Sequence, residues 1–133
     1  MTKRKWRWVK ESVVLAIHDE QLAEHGGLAG IRDSSQLSSA LARPQNLDAY
    51  GKPDLADLAA AYAAGICRNH PFLDGNKRTA LVVALVFIQK NRHIVEPDQR
   101  DAVETMLAVA EGSLSESKLA HWFRGYLRPL PPA

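Results

Sequence analysis

The feature that most constrains the fold is an unbroken run of nine apolar residues, ALVVALVFI, at positions 80–88. A helix that is apolar on every side is stable only when other parts of the protein surround it. The run is far shorter than the roughly 20 residues that a helix needs to span a bilayer. It therefore predicts a buried central helix, over residues 76–91, in a protein that does not enter a membrane.

The segments around this helix also favour helices and leave little room for a sheet. Pro44 is expected to end the second helix, and Asp54 to cap the third. Pro71 should force the third helix to end near Asn69. The sequence thus predicts an all-α six-helix bundle, whose other helices cover residues 9–24, 35–42, 54–69, 97–111 and a stretch that opens with a capping box at 113–116.

The length of 133 residues and the cysteine content bound the remaining possibilities. One domain, 1–133, is expected, with a basic tail at 1–8 and a proline-rich tail at 129–133. The single cysteine, Cys67, excludes a disulfide framework within the chain, and its apolar helical context favours a buried thiol. No secretory signal is recognisable, so we expect a cytoplasmic protein.

The turn before the apolar run carries two cations where a helix disfavours them. Residues 70–80 read HPFLDGNKRTA, so Lys77 and Arg78 fall in the first turn of the predicted helix. The positive end of the helix dipole disfavours each cation by roughly 0.3–1 kcal/mol, which a bound polyphosphate would reverse. Gly75 permits tight curvature, and the free N–H groups at the start of a helix form an anion site. The turn is therefore a candidate phosphate-binding site.

The same turn carries a candidate base and a candidate metal ligand. A histidine side chain can accept a proton from an attacking hydroxyl, which makes His70 a candidate general base. Asp74 supplies a hard oxygen of the kind that Mg²⁺ takes together with substrate phosphates. With Phe72 and Leu73 inserted into the core, these residues predict a phosphoryl- or nucleotidyl-transfer site. Taken singly, His70 could be a structural hydrogen-bonding group, Asp74 a helix cap, and the two cations solvated charges.

The segment HPFLDGNKR closely resembles the signature of the Fic/Doc family, and residues 17–33 and 39–45 resemble its Doc branch. The resemblance covers about residues 13–127 and implies an all-α Fic fold whose motif loop binds ATP and Mg²⁺. By that resemblance, Asn76 with the adjoining backbone would hold phosphate oxygens, and Arg78 would bind the distal phosphates. The implied site consists of His70 as the catalytic base, Asp74 as the Mg²⁺ ligand, Gly75, Asn76, Lys77 and Arg78 as the ATP-binding residues, and Phe72 as the buried anchor.

Two positions distinguish the branches of the family. Members that transfer AMP have Gly where this chain has Lys77, and usually a second Arg where it has Leu81. The Doc branch shares both departures. The resemblance therefore implies transfer of the γ-phosphate of ATP to a threonine hydroxyl of elongation factor Tu, by a toxin that arrests translation. AMP transfer to another protein is the alternative.

Regulation is implied to come from a second chain. Many Fic proteins carry an inhibitory helix of the form Ser/Thr-x-x-x-Glu-Gly/Asn, but Leu107 stands four residues before Glu111 here. The resemblance to Doc implies a cognate antitoxin that lays an inhibitory helix in a groove near the site. A non-catalytic regulatory binding module is a further alternative, which the basic tail favours. Direct nucleic-acid binding is not expected, because the net charge is only +2 and two tryptophans in a tail are weak support.

The loop predicted between the second and third helices is the candidate target site. It covers residues 43–54, and loops of that length are often functional. It corresponds by resemblance to the flap that aligns the target in Fic proteins. The alternative is an ordinary exposed connector. Strand addition would take place on Asp48, Ala49, Tyr50, Gly51 and Lys52.

Overall fold

The predicted all-α bundle is confirmed in a computed structural model, which describes residues 5–132. Besides the helices, two short strands pair antiparallel, His93 with Pro129 and Ile94 with Arg128. No helix of the described residues is both long and apolar enough to cross a bilayer. In chain order the elements are α1 (Glu11–His25), α2 (Ser34–Tyr50), α3 (Leu55–Asn69), α4 (Asn76–Lys90), β1 (His93–Ile94), α5 (Gln99–Glu111), α6 (Glu116–Tyr126) and β2 (Arg128–Pro129).

The most enclosed helix is α3, although the apolar run in α4 pointed to α4. Apart from Asp57, every residue of α3 from Leu55 to Cys67 is buried. Six of these residues are alanines and one is Gly65, so α2, α4 and α6 can approach α3 closely from different sides. The apolar run of α4 is buried on one side only. Its remaining residues, Leu81, Val82, Leu85 and Val86, are half-buried.

Pro44 lies inside α2 and does not end it, so the prediction of a short second helix is wrong. A proline within a helix costs about 3 kcal/mol, because its ring crowds the preceding turn and it has no N–H to donate, here to the Ala40 carbonyl. Burial of an apolar stripe against α3 offsets this cost, since burying one such side chain stabilises by about 1.5–3 kcal/mol. The buried stripe consists of Leu37, Ala40, Leu41 and Pro44.

The longer α2 also overturns the predicted flap. Asp48, Ala49 and Tyr50 form the last turn of α2, and only Gly51 and Lys52 belong to the connection to α3. An extended segment open to strand addition is therefore absent at 48–52. The first turn of α2 is the end near the candidate site, where the Gln36 carbonyl accepts from Asn69 Nδ2. The last turn lies roughly 24 Å away along the helix axis.

Other boundaries differ from the prediction by a turn or less. Ser115, and not Ser113, caps α6, because Ser113 N–H is bonded to the Ala108 carbonyl at the end of α5. Asp98 caps α5, which begins two residues after Pro97.

The two predicted tails differ where they are described: the N-terminal one packs on the bundle, and the C-terminal one begins within a short exposed strand. Trp6 and Trp8 both lie against Phe87, and Val9 is buried. Arg128–Pro129 forms β2. The remainder of these predicted tails, residues 1–4 and 133, lies outside the described part.

Close approach of α2 and α3 gives a first prediction. A Cβ on Gly65 would lie 3.3 Å from the Ala40 carbonyl oxygen. We therefore expect Gly65→Ala to lower the free energy of unfolding by roughly 1–3 kcal/mol, because the helices must move apart. Urea denaturation measures the change. Gly125→Ala on α6 is the matched control, since no atom lies within 4 Å of its Cβ position. It should be neutral or stabilise by up to about 1 kcal/mol. Equal destabilisation of both variants would contradict the close approach.

Candidate active site

His70 ends α3 in a left-handed conformation that few side chains adopt. Its φ and ψ are 49° and 55°, and its N–H donates to the Ile66 carbonyl at 3.1 Å. Pro71 disfavours a helical conformation at His70, so the chain leaves the helix there. Arg32 holds this turn from outside. Its Nε donates to the His70 carbonyl at 2.6 Å and its Nη2 donates to the Asn69 carbonyl at 2.9 Å. The imidazole is consequently displayed, exposed, from a fixed backbone.

A second segment, residues 26–33, pairs with the motif loop. Ile31 and Phe72 form an isolated antiparallel bridge. The Pro71 carbonyl accepts from Arg32 N–H at 2.7 Å, and Leu73 N–H donates to the Gly30 carbonyl at 3.1 Å. Sequence reasoning placed the target flap at 48–52 and did not assign 26–33 to the site. The available signal was its three glycines, at 26, 27 and 30, which all have positive φ.

The inner side of the loop is tied to the core through Phe72. Phe72 is fully buried, and the His18 ring stacks on it with centroids 3.7 Å apart and an interplanar angle of 8°. His18 Nε2 lies 2.8 Å from the Asp74 carbonyl oxygen, so this nitrogen carries a proton and donates it. The predicted buried position of Leu73 is wrong, since 48% of Leu73 is exposed. His18 is itself buried, and its contact with the Asp74 carbonyl positions Asp74.

Asn76 closes the loop by two reciprocal hydrogen bonds to one residue. Its Oδ1 accepts from Phe72 N–H at 3.0 Å, and its Nδ2 donates to the Phe72 carbonyl at 3.0 Å. The side chain is buried, with 6% exposed. These two bonds hold the Asn76 side chain inside the loop, so any contact of this residue with a phosphate would use its backbone N–H.

The N-terminus of α4 has no side-chain cap. Its N-cap position is Gly75, with φ 77°, whereas α2, α3, α5 and α6 are each capped by an Asp or Ser side chain. The first N–H groups of α4 are thus left for solvent or for a ligand. A side chain at Gly75 would meet Arg78 Nη2 at 3.5 Å and His18 at 3.7 Å. These are ordinary contact distances, and glycine suits this position because its φ of 77° lies in the left-handed region.

The two cations in the first turn of α4 differ in their surroundings. Lys77 is exposed, and Arg78 is half-buried. Arg78 Nη2 donates to the Gly26 carbonyl at 3.1 Å, whereas its Nε is buried and has no partner. A buried donor without an acceptor is uncommon in proteins. The unpaired Arg78 donor beside uncapped N–H groups fits an anionic ligand with several oxygens.

Asp74 is held as a carboxylate at the edge of this site. The Leu28 N–H donates to its Oδ2 at 3.2 Å and the Gly75 N–H to its Oδ1 at 3.1 Å. These two bonds, with smaller contributions from Arg78 and Lys77, hold the pKa of Asp74 below its ordinary value. The residues described contain no cluster of three metal-ligating side chains. A Mg²⁺ ion would fit here only with Asp74 and oxygens of a bound ligand, which is the usual arrangement with phosphates.

An apolar groove between α4 and α5 adjoins the cations. It encloses a cavity of about 170 Å³. Val103 is 62% exposed and Leu107 is 44% exposed, which is unusual for apolar residues that lie together on one helix. We call it the α4–α5 groove, and its lining consists of Lys77, Arg78, Leu81, Ala102, Val103, Met106 and Leu107.

Comparison with known proteins agrees with the motif. A family model described as the Fic/DOC family matches residues 8–88. The protein named protein kinase doc, of Escherichia phage P1, is 33% identical over 119 residues, which cover 89% of this chain and 94% of that protein. The protein named toxin Doc, of Mycolicibacterium smegmatis, is 46% identical over 70 residues, which cover 50% of this chain and 52% of that protein.

The bonds of Asn76 give a second prediction. Asn76→Ala leaves the N–H and carbonyl of Phe72 buried without partners, so we expect the free energy of unfolding to fall by roughly 2–4 kcal/mol. Thermal or urea denaturation measures it. Thr79→Val, one turn further along α4, is the matched control, because the buried Thr79 hydroxyl has no hydrogen-bond partner. This control should be neutral or slightly stabilising. A loss below about 0.5 kcal/mol for Asn76→Ala would contradict the closed loop.

Proposed function

Because the chain belongs to the Fic/Doc family, we propose that it is the toxin of a toxin–antitoxin pair and a protein kinase that transfers the γ-phosphate of ATP to a hydroxyl. The proposed acceptor is a threonine of elongation factor Tu, whose modification would arrest translation. One observation carries the proposal, namely the uncapped N-terminus of α4 beside the unpaired Arg78 donor. That arrangement suits a polyphosphate, and Asp74 stands beside it as a carboxylate.

In the proposed reaction, the residues of the motif loop bind and orient. The backbone N–H groups of α4 and the Arg78 guanidinium hold the phosphate oxygens. Asp74 takes part in holding Mg²⁺, which supplies positive charge to the phosphate oxygens when it is bound. His70 accepts the proton of the acceptor hydroxyl as its oxygen bonds to the γ-phosphorus. The bond from the γ-phosphorus to the bridging oxygen breaks, and ADP leaves with that oxygen.

Transfer of phosphate is favoured over transfer of AMP by two side chains. Lys77 occupies space that a glycine would leave open near the phosphates, and it adds a point charge that suits a phosphoryl group. Leu81 cannot bind a second phosphate as an arginine would. The P1 relative named as a protein kinase, which matches most of this chain, supports the same choice.

We place the acceptor segment beside residues 26–33 and not at 48–52. Three exposed apolar side chains flank the motif loop there, namely Leu28 (68% exposed), Ile31 (44%) and Leu73 (48%). Leu73 lies directly over Gly30, since a Cβ at Gly30 would be 3.2 Å from Leu73 Cδ1. Exposed apolar residues grouped beside a site are typical of contacts with another protein.

The α4–α5 groove is the proposed seat of the antitoxin helix. Its apolar floor and its two cations at one end are complementary to an amphipathic helix that carries acidic residues. Leu107 stands where a self-inhibitory motif would need Ser or Thr, and it lines this groove instead. A helix bound there would lie against Lys77 and Arg78 and could block the phosphate site.

The reaction itself gives the third prediction. Incubation with Mg-ATP and elongation factor Tu should raise the intact mass of the target by one phosphate. His70→Ala should lower the rate by about 10²–10⁴-fold, because a general base is lost. His121→Ala, an exposed histidine on α6, is the matched control and should keep full activity. A mass increase by AMP would support the alternative reaction, and an unmodified target would contradict both transfers. An active His70→Ala variant would refute the assigned base.

The antitoxin groove gives the fourth prediction. Leu107→Lys should weaken binding of the antitoxin by about 10-fold or more while the phosphorylation rate stays unchanged, because a buried apolar contact is worth about 1.5–3 kcal/mol. Titration calorimetry with the co-encoded antitoxin measures the affinity. Leu47→Lys, which is 36% exposed on α2, is the control and should bind normally. Equal affinities for wild type and Leu107→Lys would exclude the groove as the seat.

A further inference from the structure

The other end of α4 also carries a concentration of positive charge. A cleft of about 270 Å³ lies there, roughly 21 Å along the helix from the motif loop. Neither the motif nor the proposed reaction uses it. We call it the basic cleft, and its lining consists of Lys5, Trp6, Arg7, Leu55, Lys90, Asn91, Arg92 and His93.

The basic cleft is assembled from two distant parts of the chain. Asn91 Oδ1 accepts from Arg7 N–H at 3.0 Å, and Asn91 Nδ2 donates to the Arg7 carbonyl at 3.1 Å. Trp8 stacks on Phe87 with centroids 5.8 Å apart and an interplanar angle of 16°. These contacts hold the N-terminal segment across the end of α4. As a result, cations at positions 5 and 7 lie with those at positions 90 and 92.

Within the described part of the chain, the four cations of the basic cleft form no ion pair with a carboxylate. These cations are Lys5, Arg7, Lys90 and Arg92. The carboxylate of Asp48 adjoins the cleft, where it accepts from Trp6 Nε1 at 3.1 Å. Lys90 stabilises the negative end of the α4 dipole, but this explains neither Lys5 nor Arg7. Their assembly raises mutual repulsion that an external polyanion would relieve.

Arg92 adopts a left-handed backbone conformation that is rare for arginine. Its φ is 67°, where Gly or Asn is usual, and its N–H donates to the Gln89 carbonyl at 3.1 Å. A glycine would make this turn without strain. The long cationic side chain thus stands where the backbone conformation favours glycine, and such strain is typical of functional sites.

Trp6 adds an aromatic surface to the same cleft. Its ring is half-buried, lies 6.3 Å from the Phe87 ring, and remains part of the lining. A positively charged groove with an aromatic side chain is the pattern by which proteins bind single-stranded nucleic acid, with phosphates on the cations and a base on the ring. The pattern was weak in sequence because only one half of it lies in the N-terminal segment.

We propose that the basic cleft binds single-stranded RNA, with backbone phosphates on Lys5, Arg7, Lys90 and Arg92 and an unpaired base against Trp6. The choice of RNA over DNA rests on the proposed function, because a toxin that acts on translation works among RNA. The binding itself depends only on charge and stacking. It revises the expectation that the chain does not bind nucleic acid.

Fluorescence anisotropy with a labelled oligouridylate of about ten nucleotides tests the proposal on the full chain. We expect a dissociation constant between roughly 10⁻⁴ and 10⁻⁶ M at physiological salt. With about four phosphates contacted, the logarithm of affinity should fall with the logarithm of salt at a slope near −3. Oligodeoxythymidylate should bind no more tightly, and vesicles of phosphatidylserine should bind more weakly.

Two variants locate the site. Arg92→Gly relieves the backbone strain, so it should fold at least as stably as wild type, bind the RNA several-fold more weakly, and reduce the salt slope by about 0.7. Lys90→Gln should weaken RNA binding and reduce the salt slope by similar amounts. Lys118→Gln removes an exposed cation on α6 and is the control that should leave binding unchanged.

Three results would overturn the proposal: no RNA binding at low salt, equal loss of binding in Lys118→Gln, or tighter binding of DNA or of vesicles. A phosphorylation assay distinguishes failure of the RNA-binding proposal from failure of the proposed kinase function. Arg92→Gly should keep the wild-type phosphorylation rate, so its loss of RNA binding concerns the basic cleft alone. Conversely, a wild-type chain that fails to phosphorylate its target but binds RNA at this cleft would contradict the proposed kinase.

Discussion

The candidate site depends on the pair of hydrogen bonds between Asn76 and the backbone of Phe72. They use the first side chain of α4 to close the loop that precedes the helix and so fix the backbone from Phe72 to Asn76. The N-cap position falls on Gly75, which has no side chain to offer. The first N–H groups of α4 consequently remain available, and the unpaired donor of Arg78 stands beside them. Loop closure and anion binding are thus two results of one arrangement.

The two ends of α4 concentrate cations for different physical reasons. At the N-terminus the helix dipole opposes Lys77 and Arg78, so a bound anion is needed to make them favourable. At the C-terminus the dipole favours Lys90, but the N-terminal segment adds further cations and Arg92 takes up a strained backbone. At the first end the unfavourable contribution is the helix dipole, and at the second it is the mutual repulsion of the assembled cations and the strained backbone of Arg92.

The sequence was misleading where packing outweighed local preference. Pro44 is a reliable helix terminator in isolation, yet α2 continues through it because one face of the helix is buried against α3. The predicted flap is absent for the same reason, since its first three residues belong to α2. The apolar run of α4 suggested the centre of the bundle, but the small residues of α3 allow closer approach on all sides. Side-chain size, which hydrophobic periodicity does not register, decided which helix is central.

The sequence by itself determined the features that a few neighbouring residues encode. Pro71 ends α3, and Gly75 makes the turn into α4. Asp54 caps α3, since its side chain accepts from Asp57 N–H and the Asp57 side chain accepts from Asp54 N–H. Each of these residues acts on neighbours no more than four positions away. Only the tertiary structure decided what lies against that turn. The clamp of Arg32 on the His70 carbonyl joins residues 38 positions apart, and the contact of His18 with the Asp74 carbonyl joins residues 56 apart. Such contacts form only after α1, α2 and α3 have packed, so no local pattern contains them.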